Sequence, residues 1–495
     1  MKRFYLLALA ATLAFTGCKK DDGDPRPENL TIEKTEYALD AVEERTATVA
    51  FTAPANWTLS VVYDDAESSA DWLSVTPMSG TAGEQTVELS AARNFRTSDR
   101  TAYADLVCGE QSVRLTVTQT AASEVVDFTA QFDPGFAQKL QELGIIADAE
   151  HITPADMEKI AAMTELDVSG TDDAPGTLTS LQGTEYFESL TDLDCSYNQL
   201  TSLDVRANTA LTELYCHENQ LTSLDVRANT ALTYLYCGSN QLTSLDVRAN
   251  TALMYLDCSS NSLTTLDVSA NTALTFLMCG SNQLTELDVS RNTALTYLYC
   301  GSNQLTSLDV RANTALTLLS CSFNSLTTLD VSRNTALTHL SCDSNQLESL
   351  DVSANTALTE LSCSSNSLTS LDVSANTALT YLWCGSNQLT SLDVRANTAL
   401  TQLTCSYNQL TELDVRANTA LTDLYCFSNQ LTSLDISRNT VLTELSCSDN
   451  PGDGESTFPV TVWFDNETEP AGLKVYSSSW TYGGKTITID FRKAE

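Results

Sequence analysis

The sequence predicts a mainly β protein: a solenoid of short coils with a helical cap at its N-terminal end, preceded by a β-sandwich. Three observations carry this. Thirteen cysteines, from Cys195 to Cys447, recur every 21 residues, and a fixed period decides architecture ahead of any local propensity. Residues 30–121 lack the repeat and alternate Val, Thr and Leu in segments such as TATVAFTA and SVRLTVTQT, separated by turn clusters such as PMSGTAG, which reads as strands of a sandwich. Residues 122–189 space their apolar side chains at helical intervals.

Taken in order, the N-terminus MKRFYLLALAATLAFTGCKKDD has Lys2 and Arg3, then an apolar run from Phe4 to Phe15 too short to span a bilayer. Phe15-Thr16-Gly17-Cys18 resembles the lipobox of bacterial lipoproteins. That resemblance implies a signal over residues 1–18 and acylation of Cys18, which would hold the chain on a membrane by lipid. Lys19-Lys20-Asp21-Asp22 resembles the signal that sends Bacteroidetes lipoproteins to the outer face of the outer membrane, so the expected location is an outer membrane lipoprotein exposed at the cell surface. Residues 19–29 read as a polar linker, and no later segment is long and apolar enough for a membrane helix.

In residues 30–121, ANWTLSV, ADWLSVTPMSGTAGEQ, ARNFRTSDRTAYADLV and RLTVTQTAA follow one another in a way that resembles the BACON domain, a small immunoglobulin-like module. The resemblance implies carbohydrate binding, which makes Trp57 and Trp72 candidate sugar platforms; a buried tryptophan is the ordinary case in such folds, which would leave the domain a spacer. Cys108 reads as a core residue of a strand. In residues 122–189, Phe136, Leu140, Leu143 and Ile145 form one apolar set, Ile160 and Met163 another, and Pro154 marks a helix start.

The repeat of residues 190–450 is L-T-x-L-x-C-x-x-N-x-L-T-x-L-D-V-x-x-N-T-A. It resembles the leucine-rich repeat with cysteine in place of the third leucine, and most closely the cysteine-bearing repeats of internalin J-type surface adhesins. The resemblance implies that residues 122–189 are the helical cap and irregular first coil. Residues 451–495 break the period and read as a C-terminal cap in which Trp463 and Trp480 cover the last leucines.

One coil cannot bury its own apolar side, so coils stack and their leucines fuse into one core. Alternation in x-L-x-C-x sends leucine and cysteine inward. Stacked cysteines hold their Cβ atoms near the strand spacing of about 4.8 Å rather than the roughly 3.8 Å of a disulfide, so the expectation is a ladder of free buried thiols. Two asparagine columns, Asn198 to Asn450 and Asn208 to Asn439, are expected to donate and accept at the coil corners. Thirteen coils at about 4.8 Å give a solenoid roughly 60 Å long.

The formal net charge of -38 over 495 residues makes nucleic acid or anionic lipid a poor partner for the body of the protein. Three histidines, His151, His217 and His339, stand in different elements, away from any single nucleophile, and zinc-protease and phosphate-loop patterns are absent. The reading is a non-enzyme with no catalytic residue, no metal and no cofactor.

Recognition in such rods sits on outward strand positions, which vary while the frame repeats. Those positions hold Tyr215, Tyr234, Tyr236, Tyr255, Phe276, Tyr297 and Tyr299, then a small polar gap, then a second patch of Tyr381, Trp383, Tyr425 and Phe427. These eleven are the candidate ligand contacts. Coils with bulky apolar residues at both flanking positions place Gly238, Gly280, Gly301 and Gly385 after the cysteine; glycine either clears the sheet for a ligand or is protected by the rings. On the opposite side an aspartate column runs from Asp204 to Asp435, with an arginine two residues on in six coils and along the same strand face. Asp351 and Asp372 have no such arginine, and bonding to nearby Ser, Thr or backbone explains them more simply than calcium, which needs six to eight oxygens.

The expected function is non-enzymatic binding or adhesion at the cell surface, with an extracellular protein or glycan held on the aromatic strand face. Two alternatives stand beside it: a glycan-capture lipoprotein of a polysaccharide-utilisation system, and a structural spacer with no specific ligand. The spacer draws support from exact copying, since Leu232 to Ala252 recurs unchanged at Leu295 to Ala315. The divergent strand positions argue for binding. The sequence leaves the oligomeric state open.

Overall fold

A computed structural model describes residues 29–494 apart from 42–44, 64–71, 97, 122–126 and 465–471. The leader and Cys18 lie outside the described residues. The chain forms two units, Met1–Val126 and Asp127–Glu495.

The first unit is a two-sheet sandwich. Its strands are β1 (Thr31–Ile32), β2 (Glu36–Leu39), β3 (Thr46–Ala53), β4 (Trp57–Tyr63), β5 (Leu73–Thr76), β6 (Ser79–Gly80), β7 (Gly83–Ala91), β8 (Arg100–Cys108) and β9 (Gln111–Gln119). One sheet runs β1-β3-β7-β5 and the other β2-β9-β8-β4-β6. Alternation sends Val49, Phe51, Leu59, Leu89, Leu106, Leu115 and Val117 into the shared core.

Here the sugar-platform reading of the two tryptophans fails. Trp57 is 1 % exposed and Trp72 3 %, so neither indole offers a face to a ligand. Trp57 meets Phe51 edge to face at 4.9 Å, and a Cβ on Gly80 would come within 2.7 Å of its ring, so glycine there admits the indole. Trp72 lies under the Arg100 guanidinium, 4.5 Å from the ring centroid. Both rings are large apolar surfaces that the sandwich uses to fill its interior. Cys108, opposite Trp57 in the ladder, is buried, and its thiol donates to the Ala55 carbonyl.

The second unit opens with two short helices, α1 (Pro134–Glu142) and α2 (Pro154–Ala161). Asp133 caps α1 by accepting from the Gly135 and Phe136 amides, and Thr153 with Asp156 forms a capping box on α2. Helix α1 buries Phe136 and Leu140, and Phe136 packs on Phe187 of the first coil at 6.1 Å. Leu143, expected in that apolar set, is 45 % exposed because the helix ends one residue earlier. In α2 the buried pair is Met157 and Ile160, with Met163 past the helix end and half-buried.

Thirteen three-residue strands, from Asp192–Asp194 to Glu444–Ser446, pair in parallel and in register, leucine on leucine. Glu165–Asp167 adds one strand at the start and Lys474–Val475 one at the end, making a 15-stranded sheet. Leu214, Leu235 and their successors are fully buried, as are the cysteines. Trp480 covers the last coil, its indole N–H donating to the Asn450 carbonyl at 2.9 Å. Trp463 is half-buried and meets Phe464 edge to face.

The two asparagine columns differ. In the first, Asn219 donates to the Cys195 and Cys216 carbonyls and accepts from the Leu200 amide, so both ends of the amide are used. In the second, Asn229 donates to the Val205 and Asn208 carbonyls, while its Oδ1 is buried without a protein partner, as in every member from Asn208 to Asn439. That column stitches coils by donation alone.

The aspartate column is not a strand face. Among the described residues the column forms a strand only at Leu434–Asp435, where it pairs with Thr457–Val462 of the C-terminal cap, and Asp414 makes a single bridge to Asp435. Elsewhere the aspartate closes a turn by accepting the amide two residues on, as Asp246 does from Arg248 and Asp351 from Ser353. One further feature recurs: in all thirteen coils the residue before the first asparagine is left-handed yet not glycine, from Tyr197 at φ 53° to Asp449 at φ 54°.

Candidate functional site in the strand face

The exposed side of the sheet is built from residues flanking the inward leucine. In-register parallel pairing at about 4.8 Å brings like positions close enough for rings to stack. Tyr215 stacks on Tyr236 at 4.7 Å between centroids, Tyr236 on Tyr255 at 4.3 Å, and Tyr255 on Phe276 at 4.2 Å. Phe276 then meets Tyr297 at 5.2 Å and Tyr299 at 6.0 Å, and Tyr234 lies 6.1 Å from Tyr255. The pile shifts from one flanking column to the other where Asp257 replaces a ring and accepts instead from Ser259. All seven predicted residues of the first stripe therefore come together. Except for Tyr297, 40 % exposed, they are half-buried, because each ring covers its neighbour's face.

The second patch divides. Tyr381, 36 % exposed, stacks on Trp383 at 5.5 Å, and the Trp383 indole N–H donates to Gln402 Oε1 at 2.7 Å. Tyr425 belongs to a different group: its hydroxyl donates to Glu444, which also accepts from Tyr476. Phe427 meets Tyr407 edge to face at 5.0 Å. Gln402 and Thr404 occupy the strand between Trp383 and Tyr425.

Behind this face the cysteines form the expected ladder. All thirteen are free and buried. Burial pushes the thiols of Cys216, Cys300 and Cys447 up to about 12 and the rest well above their ordinary value. They are packing groups with no thiolate at neutral pH.

The functional domain of InlJ from Listeria monocytogenes, a structure whose description includes a cysteine ladder, is similar to this chain: 38 % identity, TM-score 0.59, over 68 % of this chain and 82 % of that one. This chain belongs to the internalin J-type leucine-rich repeat family. The internalin J-type coils at residues 188–229 and 356–397 also match the family of leucine-rich repeats, and residues 29–122 match the viral BACON domain. An internalin of the same organism, InlF (23 % identity, TM-score 0.54, 67 % of this chain and 94 % of that one), and YopM of Yersinia pestis (24 %, 0.51, 68 % and 91 %) share the fold. No curated protein sequence matches the chain.

On the internalin J-type sheet, the four glycines after the cysteine are half-buried or buried. A Cβ at Gly280, Gly301 or Gly385 would meet the carbonyl of the next coil at 3.0–3.1 Å. The space at these three is bounded by backbone and does not open toward a flat ligand.

Charge on this internalin J-type solenoid is sorted by side. All nine arginines between residues 190 and 450 lie in the aspartate turn, and no lysine occurs in that span. Six of them grip the aspartate two residues back, as Arg248 does Asp246 at 2.8 Å, which holds the Asp246 carboxyl down at about 2. The strand positions of the 15-stranded sheet carry nine carboxylates: Glu165, Asp167, Asp192, Asp194, Glu213, Asp257, Glu360, Asp423 and Glu444. Their only basic company there is His339 and Lys474. Burial, then Glu213 and Glu165, raise Asp192 above the usual carboxylate range.

Between the two aromatic groups lies a depression of about 260 Å³. Tyr299 and Trp383 stand at its ends, Ser320, Ser341 and Ser362 lie along it, and Leu318, His339 and Glu360 flank it. His339 bridges Thr338, through Nδ1, and Glu360, through Nε2 at 3.3 Å. Below, Asp343 accepts from Ser322, Ser341 and Ser362 hydroxyls and the Ser364 amide, tying three coils together. The other histidines do different work: His151 faces Asp127 at 3.3 Å, and His217 is wedged beside Tyr197 and Tyr236.

Two exposed rings escaped the sequence reading: Phe323, 62 % exposed, and Tyr407, 57 %. Both occupy the left-handed position two residues past the cysteine, so a scan of the leucine-flanking columns passes over them. The rarity of a ring at a position that is serine in eight coils was the available signal.

Proposed function

We propose that this internalin J-type protein is a non-enzymatic binding protein that holds an extracellular protein on the strand face of its solenoid, tethered to the outer membrane by acylated Cys18. The observation that supports it is the contrast between frame and face. Leucine and cysteine columns and the asparagine column from Asn208 to Asn439 recur unchanged and buried, while the sheet residues between them differ from coil to coil and assemble a stacked aromatic run edged by carboxylates. Aromatic enrichment on a solvent-facing sheet is the composition of a recognition surface. A protein is favoured over a flat sugar because the stacked rings from Tyr215 to Phe276 cover one another's faces and present edges.

The test is binding of the chain from residue 19 onward to parallel arrays of glycans and extracellular proteins, with a Tyr234/Tyr236/Tyr297/Tyr299→Ala variant whose far-ultraviolet circular dichroism matches the parent. A protein hit lost in the variant supports the reading. A protein hit that the variant retains removes function from this face, and a glycan hit lost in the variant replaces the ligand class.

A further inference from the structure

The depression between Tyr299 and Trp383 marks a break in the aromatic run. Tyr299 has Phe276 on one side at 6.0 Å, but its partner across the next strand is Ser320. Trp383 has Tyr381 beside it, and its partner on the preceding strand is Ser362. Each end of the depression is thus a ring whose in-register neighbour on that side is a serine, so no ring stacks on it from that side. The indole N–H is engaged by Gln402 and Tyr381 stacks on one face, which pins the ring and leaves its other face without a ring partner among the described residues.

We infer that this depression receives a lysine or arginine side chain of a basic protein segment. The inference rests on the strand-face reading above and narrows it to one partner chemistry. Charge complementarity selects the occupant. Nine strand-face carboxylates stand against one lysine and one histidine, and all nine arginines of the coils are held on the opposite turn. A face sorted in this way attracts cations over long range and repels acidic partners. At the depression, Tyr299 and Trp383, which line its two ends, supply the quadrupole that holds a cation at short range. Glu360, 39 % exposed by its side chain and with Oε1 3.3 Å from His339 Nε2, offers a carboxylate to a guanidinium or ammonium N–H.

The experiment uses the chain from residue 19 onward and a fluorescein-labelled Arg-Gly-Arg-Gly-Arg-Gly-Arg peptide, its lysine counterpart and a Glu-Gly counterpart, read by fluorescence anisotropy at fixed ionic strength. The expected result is binding of the two basic peptides alone, weakened about fivefold by Trp383→Ala and about threefold by Glu360→Gln. Asp351→Asn, which makes the same charge change in the opposite turn and keeps an acceptor for the Ser353 amide, changes affinity by less than about 1.5-fold. Equal weakening by Glu360→Gln and Asp351→Asn with no effect of Trp383→Ala shows attraction by net charge alone and overturns the site. Absence of basic-peptide binding overturns it as well. A glycan-array hit abolished by Trp383→Ala overturns the cationic partner yet keeps the strand face as the binding surface, whereas a protein-array hit that survives both Trp383→Ala and the four-tyrosine variant removes the strand-face reading itself.

Discussion

Tyr255 and Phe276, one strand apart, lie 4.2 Å between ring centroids with planes only 8° apart. That overlap makes the face part of the fold's stability as well as a surface for a partner. Phe276 touches Tyr255, Tyr297 and Tyr299, so Phe276→Ala removes three ring contacts at once. The expected cost is about 2–3 kcal/mol, measured as a lower midpoint in urea, with a loss of tyrosine circular dichroism in the near ultraviolet. A variant that keeps the midpoint and the spectrum would show that the rings stack only loosely.

The thiol ladder makes the protein fragile to alkali. A buried thiol stays protonated in the fold, while in the unfolded chain it ionises near its ordinary value of 9. The unfolded state then binds fewer protons at high pH, so the contribution is intact below pH 9 and is lost as pH rises toward the folded values of about 12. Each thiol contributes up to about 1.4 kcal/mol per pH unit over that interval, and thirteen act together. Stability should hold to about pH 8.5 and collapse within one to two units above it. Urea midpoints from pH 7 to 11 read this directly; Cys279→Ala/Cys300→Ala/Cys321→Ala should be weaker at pH 7 but flatter above pH 9. Equal alkaline slopes for parent and variant would assign the loss to other groups.

Much of this architecture was legible because its signals repeat. Leucine and cysteine alternate identically thirteen times, so the inward column needs no tertiary information. The burial of Trp57 and Trp72 was less legible, since a strand sequence does not say which of two sheets closes over it, and Gly80, which admits Trp57, is far from it in the chain. The strand-face columns show which rings share the outer face, but ring stacking depends on side chains leaning across coils: Tyr236 reaches Tyr255 diagonally because Asp257 turns toward Ser259. D-V-R looked like a second strand because Val205 and its successors alternate with polar residues; the aspartate's bond to the amide two residues on turns the chain instead.

The thirteen left-handed residues predict an unusual tolerance pattern. At Ser302, φ 55°, a β-branched side chain crowds the backbone, so Ser302→Val should cost about 1–2 kcal/mol. Ser302→Gly should be neutral or slightly stabilising, since glycine accepts this conformation freely. Thermal midpoints of the two variants check the order. If valine is tolerated as well as glycine, the left-handed turn is not required there.

The aspartate turn separates two roles that an ion-pair count would merge. Asp246 accepts both from the Arg248 guanidinium and from the Arg248 backbone amide, whereas Arg248 contributes only its exposed head, 64 % of whose side chain faces solvent. Exposed pairs of this kind add little to stability, while an Asx-type acceptor organises the turn. Arg248→Ala should therefore leave the thermal midpoint almost unchanged and insensitive to added salt. Asp246→Ala should lower it clearly, and Asp246→Asn should restore most of the loss, because the amide oxygen still accepts from the backbone although the charge is gone. The coil at Asp351 supplies the natural parallel: it has serine where Asp246 has arginine, yet Asp351 makes the same bond to the amide two residues on. If Asp246→Asn were as damaging as Asp246→Ala, the ion pair and not the turn would be what the column preserves.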